Sequence, residues 1–295
     1  MRIGPLTDVA DEPRWAEIYT AGRGGPPAFE AGCGRFAAWS QRGLIGAAEV
    51  RRDVGTETFA RVYVDPSARR SGAGRGLVAA VSEWASDHGG TLVKTIVSDD
   101  DSEAFAVALG ADVAIRLVTV VHDLDTAPEI PAPPGLRLLR WDGPAPEELL
   151  DAYALLRRTV GEAPDAQLQM DVAARTRAWV REWERERTAS GNQLWVCAAM
   201  DGHDLIGFTE VEVPEAGPAD QHDTAVLPAW RGRSVATWLK ADMLGWIRRD
   251  RPGVTSISSS INLRNEPMLR VCDRLGFHRH GQRTMVVLPV HSSGA

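Results

Sequence analysis

Cysteine is scarce in this sequence and badly placed for cross-links. Cys33, Cys197 and Cys272 are odd in number, far apart and form no Cys-x-x-Cys pair, which argues against both a disulfide framework and a structural zinc site. Histidine adds little. His278 and His280 are the only close pair, on one face of an expected strand with no third ligand nearby, so no metal is expected. Long apolar runs are absent too, and Met1 to Asp8 has no apolar core of leader length, so neither a membrane span nor a signal peptide is expected and the cytoplasm is the default. Positive charge is in deficit. A formal net charge of −7 argues against a nucleic-acid partner, which would need a concentrated basic face; it suits an amine substrate slightly better.

What is present is a globular composition, 44% hydrophobic and 25% charged over 295 residues, enough for two ordinary domains with their own cores. The same pattern occurs twice. Val64, Pro66, Arg69, Gly72, Gly74 and Leu77 recur at a constant offset as Val226, Pro228, Arg231, Ser234, Ala236 and Leu239, and Trp84 recurs as Trp246. Upstream the offset is one residue smaller: Leu44-Ile45-Gly46 becomes Leu205-Ile206-Gly207, and Glu49 becomes Glu210. Downstream, Leu109-Gly110-Ala111 answers Leu275-Gly276-Phe277. Order kept across three segments implies a tandem duplication.

Each copy reads as alternating strands and helices. In the first, strands are expected at 3–6, 35–40, 44–52, 59–64, 91–97 and 115–124, with helices at 12–20, 75–88 and 102–109 and a Gly- and Pro-rich loop at 21–27. Residues 127–134 are rich in proline and form the linker, stiff and without a core of its own. The domains are therefore 1–126 and 135–295. In the second copy a helix opens at Pro146-Glu147-Glu148, and strands follow at 194–199, 205–213, 221–226, 254–261 and 284–290. Its extra amphipathic stretch, Leu168 to Arg187, has no equivalent of similar length in the first copy; Val172, Trp179, Val180 and Trp183 read as a packing face.

The stretch after each exit valine carries the chemistry. Proline ends the strand, small residues and arginines follow, and a helix begins with its N–H groups unpaired. Such a turn cradles a diphosphate: small residues admit the oxygens, N–H groups point inward, and arginines neutralise charge. The same residues also make an ordinary glycine-rich turn with surface arginines.

With this order of strand, cradle, helix, strand and Leu-Gly-Phe, each half resembles the GNAT superfamily of acyl-CoA-dependent acyltransferases. The cradle motif is complete as Val64 followed by Arg69-Arg70-Ser71-Gly72-Ala73-Gly74, and appears as Val226 followed by Arg231-Gly232-Arg233-Ser234-Val235-Ala236 with serine at the central glycine. The second signature runs from Asn262 and Asn265 to Leu275-Gly276-Phe277. The resemblance implies an α/β (α+β) fold of two tandem GNAT domains, each a mixed, mostly antiparallel twisted sheet flanked by helices. It implies acetyl-CoA, or another acyl-CoA, bound at those cradle residues, with Asn262 or Asn265 on the pantetheine arm. Asn265 can equally N-cap the helix that starts at Glu266, or do both.

In many family members the base lies four and six residues before the exit valine. Here these positions are His222 and Asp220; the first copy has Ala60 and Thr58. His222 is suited to neutral pH, while a slip of one residue would present Asp223 instead. Asp223 and Glu210 are reserve bases. The family's acidic tyrosine is replaced by Cys272, either a proton donor or a small buried apolar residue, and by Ala106 in the first copy. The expected protein is an N-acetyltransferase acting on an amine of a small molecule by direct attack in a ternary complex, as monomer or homodimer, with the C-terminal domain catalytic. Two rivals stand beside it: catalysis by the N-terminal domain with substrate walls from the other, and a non-catalytic acyl-CoA-binding regulatory protein.

Overall fold

The computed structural model describes residues 1–23, 33–52, 57–162, 175–189 and 191–290. It divides into two compact units. The first is Met1–Ile115 with the C-terminal segment from Arg283 on, and the second is Arg116–Gln282.

In the first unit β1 (Arg2–Pro5), β2 (Gly34–Ser40), β3 (Gly43–Arg52) and β4 (Glu57–Val64) run antiparallel in sequence order. β5 (Leu92–Val97) pairs parallel to β4 over only the first three residues of that strand, Glu57 to Phe59, and then pairs antiparallel to Thr284–Pro289 of β12 (His278–Pro289). Helices cover both faces. α1 (Glu12–Arg23) buries Trp15, Ile18 and Tyr19 against Ala37, Leu44 and Ala47. α2 (Ala73–Asp87) buries Leu77, Val81 and Ala85, a four-residue repeat, against Ala38, Ala48, Val50 and Ala60. α3 (Asp100–Val107) is capped by Asp99 and carries three acids in its first turn. α1 runs through Arg23, so Ala21 to Arg23, expected as the start of a loop, are helical; the rest of the expected loop lies outside the described residues.

The second unit repeats the plan. β7 (Leu136–Asp142), β8 (Gln193–Asp201), β9 (Asp204–Val213) and β10 (Gly217–Val226) are antiparallel neighbours. β11 (Val254–Asn262) pairs parallel to β10 and antiparallel to Leu117–His122 of β6 (Asp112–His122). α6 (Val235–Asp250) and α7 (Glu266–Arg274) lie on one face, where Val235, Leu239, Met243 and Ile247 join Val211, Val226, Ile257 and Cys272 in one core. Each large apolar side chain so buried contributes about 1.5–3 kcal/mol. α4 (Leu150–Arg158) and α5 (Arg177–Thr188) lie on the other face with Tyr153, Leu156, Val180 and Phe208. Trp179 and Trp183 pack against that core as expected, whereas Leu168 and Val172 lie outside the described residues. Ala127 and Ile130 of the proline-rich segment pack against the core of the second unit.

The repeated Leu-Ile-Gly has a packing cause. A Cβ on Gly46 would come within 2.9 Å of Leu77, and one on Gly207 within 3.2 Å of the Ala225 carbonyl, so both strands need glycine where the helix and neighbouring strand close in.

Candidate active site

The site of the second unit is built where β10 leaves its neighbours. β10 and β11 are paired only from Gly217 to Asp220 against Val254 to Ser258; beyond this the strands are no longer hydrogen-bonded to each other. The cradle follows at the end of β10. Arg231 is extended (φ −67°, ψ 154°), Gly232 has φ +75°, and Ser234 has φ +61° as the N-cap of α6 without a side-chain cap. The first unit does the same with Arg69 (φ −59°, ψ 156°), Arg70 (φ +63°) and Gly72 (φ +87°), also uncapped. Both loops thus hold two left-handed residues two positions apart, one glycine and one not. Ser234 holds the backbone of Gly72 at a steric cost of about 1–2 kcal/mol, and the uncapped helix start leaves N–H groups for an anion.

The arginines differ in availability. Arg231 donates from Nε to the Val226 carbonyl (3.0 Å) and pairs with Glu162 (2.6 Å). Arg233 lies over the Trp230 ring, 4.9 Å from its centroid. Ser71 in the first loop donates to the Ala68 carbonyl. Gly74 is held by packing, since a Cβ there would stand 3.1 Å from Phe105 of α3; Ala73 and Val235 are buried beneath their loops. The Asn262 carboxamide accepts from Arg264 N–H (2.9 Å). Asn265 N-caps α7 through Met268 N–H (3.3 Å).

β10 carries a bulge. Gln221 stands opposite Val211 and Thr224 opposite Thr209, so His222 and Asp223 together face the single residue Glu210. Strict alternation back from Val226 would put His222 on the face of that valine; the extra residue turns it to the opposite face, toward α4 and α5. Asp223 comes with it, rather than instead of it. His222 Nε2 meets Glu212 Oε2 at 3.1 Å, and Arg157 reaches both Glu210 and Asp223, the latter at 3.1 Å. Gln221 fills the gap on the other side. Its Nε2 donates to the Glu210 carbonyl and to Thr209 Oγ1 (3.1 Å), while its Oε1 accepts from Lys240 Nζ (2.9 Å). In the first unit β3 and β4 pair without interruption from Gly46–Val64 to Arg52–Thr58; there is no bulge, Ala60 is buried, and Thr58 donates to the Leu92 carbonyl.

Sequence reasoning missed most of the surrounding charge. Arg157 and Glu210 are fully buried, and Arg175 is 1% exposed. Tyr153 Oη donates to Glu210 (2.6 Å) and accepts from Arg157 (2.9 Å), and Arg175 reaches Asp223 (3.1 Å). Burial alone would raise the Glu210 carboxyl, but the Arg157 guanidinium and its hydrogen bond hold it below the ordinary value. Burial raises Asp223 despite Arg157, with the Glu210 charge adding to the rise. Burial and then Glu210 push Tyr153 well up. Trp179 and Trp183 stack at 5.5 Å above this pair, the Arg157 guanidinium lies 5.2 and 5.0 Å from their rings, and Trp183 meets the His222 ring edge-on at 5.3 Å. A signal existed: Tyr153 and Arg157 repeat, at the same i, i+4 spacing, Tyr19 and Arg23 of the first copy. In that copy burial, then Glu49, push Tyr19 up to about 12.

The other candidates divide. Asp220, the last paired residue before the strands part, is exposed and accepts from Ser258 Oγ (2.7 Å). Glu210 is committed to its ion pair, which removes it as a free base. Cys272 is 0% exposed in the core, and burial pushes its thiol up, so it has no contact with solvent through which to hand on a proton. Among the described residues no cluster of three metal-ligating side chains occurs, and no helix is long and apolar enough to cross a membrane.

Comparison with known proteins decides the family. Residues 7–111 match the acetyltransferase (GNAT) family and residues 144–278 a GNAT acetyltransferase domain. The chain belongs to the GNAT family. It is a tandem GNAT protein, and relatives with curated names point the same way. It is 28% identical to a mycothiol acetyltransferase of Brachybacterium faecium over 74% of this chain and 64% of that protein, so it spans less than two thirds of that relative's length. A mycothiol acetyltransferase of Rhodococcus erythropolis is 28% identical over 75% of this chain and 73% of that one. Among solved structures, a tandem GNAT protein from the clavulanic acid biosynthesis pathway superposes with a TM-score of 0.76 at 24% identity, covering 99% of both chains. A GCN5-related N-acetyltransferase from Sphaerobacter thermophilus gives 0.72 at 18% identity, over 98% and 96%. These two likenesses speak to the tandem GNAT fold.

Proposed function

We propose that this tandem GNAT protein transfers an acetyl group from acetyl-CoA to a primary amine of a small molecule, and that its second unit does so by direct attack in a ternary complex. The observation that carries the reading is the bulge of β10, which brings His222 to the face lined by Glu210 and Glu212 at the point where β10 and β11 part. Opposite Glu49, the counterpart of Glu210, the first unit places Arg61, and a guanidinium cannot serve as the base.

The cradle residues fit an acyl-CoA donor. Gly232, Ser234 and the uncapped start of α6 offer N–H groups to a diphosphate, and Arg231 and Arg233 lie beside them. His222 takes one proton from the ammonium of the acceptor; the amine nitrogen then bonds to the thioester carbonyl carbon, gives up its second proton to water as the C–S bond breaks, and the thiolate takes a proton from water. Asp220, exposed at the mouth of the parting strands, gives the incoming ammonium a negative neighbour. Three relatives named mycothiol acetyltransferase support a small-molecule acceptor. The first unit's loop has the same backbone as the second, which favours a second acyl-CoA site there without chemistry.

Release of CoA thiol from acetyl-CoA against a panel of small amines tests this. His222→Ala lowers kcat/KM about 10²–10⁴-fold, the usual span for a general base, and Arg69→Glu in the first loop leaves it unchanged. Full turnover in His222→Ala, or loss of turnover in Arg69→Glu alone, contradicts the assignment.

A further inference from the structure

The two ring nitrogens of His222 stand in different surroundings. Nε2 meets Glu212 Oε2 at 3.1 Å, and the other oxygen of that carboxylate accepts from Asn192 Nδ2 at 2.7 Å. Nδ1 has no hydrogen-bond partner among the described residues, and the side chain keeps 18% of its surface exposed. The ring cannot turn freely, because Trp183 of α5 stands edge-on against it. We propose that Glu212 is a positioning residue that fixes His222 as the Nε2–H tautomer, so that Nδ1 carries the lone pair that accepts the substrate proton. Asn192 in turn fixes Glu212. This rests on the reading of His222 as the base.

The chemistry favours this arrangement. A carboxylate only accepts, so the nitrogen that faces it must carry hydrogen, and in a neutral imidazole the other nitrogen is then the acceptor. A third group that orients a base is a recurrent device. Burial alone would raise the Glu212 carboxyl, but hydrogen bonds from His222 and Asn192 hold it below the ordinary value, which keeps it an acceptor at neutral pH. The charged groups around the ring are Glu212 and Glu210 on β9, Asp223 beside it on β10, Arg157 on α4, Arg175 before α5 and Arg187 on α5. Glu210 and Asp223 are matched by Arg157 and Arg175, which leaves Glu212 as the carboxylate in direct contact with the imidazole.

Long-range 15N–1H correlation spectra of the full-length protein, with His222 assigned by its loss in His222→Gln, read the tautomer without turnover. The expected result is Nε2–H in the wild type and in Glu212→Gln, whose amide oxygen still accepts, and a mixture in Glu212→Leu. A wild-type Nδ1–H form overturns the proposal. In kinetics, Glu212→Leu lowers kcat/KM about 10²-fold with the acetyl-CoA KM unchanged, and Glu212→Gln recovers part of the loss. Full turnover in His222→Ala would sink the base assignment while the spectra still decide the Glu212 contact.

Discussion

His122 is a buried imidazole, 2% exposed, whose Nδ1 accepts from Leu124 N–H at 3.0 Å and whose ring packs 5.1 Å from Phe277. Burial lowers its pKa below the ordinary 6.5, and the nearby Asp125 and Asp123 only partly oppose this. Above that value both folded and unfolded states hold it neutral and it contributes nothing to pH dependence. As pH falls below 6.5 the unfolded chain takes up a proton that the folded chain resists, so stability is lost through the window beneath 6.5. Urea unfolding at pH 7.5 and 5.5 should therefore show a lower midpoint at the acidic pH, and His122→Asn should narrow the gap. An equal gap in the variant contradicts the account. The Glu210 carboxyl, held low by Arg157, adds its own loss further toward acid, below the ordinary carboxylate range.

At the scale of the element, Gln221 braces the bulge of β10. It donates to the Glu210 carbonyl and accepts from the buried Lys240 ammonium. Burial lowers the Lys240 pKa, so that contact keeps a costly group in place. Gln221→Leu should cost about 1–3 kcal/mol, as expected when buried polar groups lose their hydrogen-bond partner, measured as a shift of the urea midpoint at constant slope. A loss below 1 kcal/mol would mean that other groups hold the bulge. The bulge was visible in the sequence without being recognised as such. Glu49 matches Glu210 at an offset one residue smaller than that of Val64 to Val226, and the corresponding pairs nearer the turn are equally far apart in sequence, Arg51 to Phe59 and Glu212 to Asp220. The additional residue is the one at His222 and Asp223. Alternation alone therefore placed His222 and Asp220 together correctly but on the wrong side of the sheet relative to Val226. Arg157 left only the repeat of Tyr19 and Arg23 in Tyr153 and Arg157 as its sign. Arg175 looks like a surface charge in sequence, and only the burial of Asp223 opposite it makes it interior.

Across the whole molecule, the duplication and the two loops of left-handed residues followed from repeated residues, because those residues are fixed by local backbone need: glycine or a strained substitute at positive φ, proline at the strand exit, glycine under the helix. The membership of the last strand in each copy did not. Leu117–His122 pairs with β11 in the second unit, and Thr284–Pro289 pairs with β5 in the first, whereas the proline-rich 127–134 suggested a cut between contiguous halves. Apolar strands of similar pattern do not encode which neighbour they join. The asymmetry on which the proposed function rests survives this exchange, since the bulge, His222 and Glu212 all belong to the second unit and have no counterpart in the regular β3 and β4. A crystal of the full-length protein soaked with acetyl-CoA tests that asymmetry most directly. The account predicts density for the thioester between β10 and β11 of the second unit, with the diphosphate on Arg231 to Ala236 and the acetyl group facing His222; density confined to the first unit's loop, Arg69 to Gly74, would contradict it.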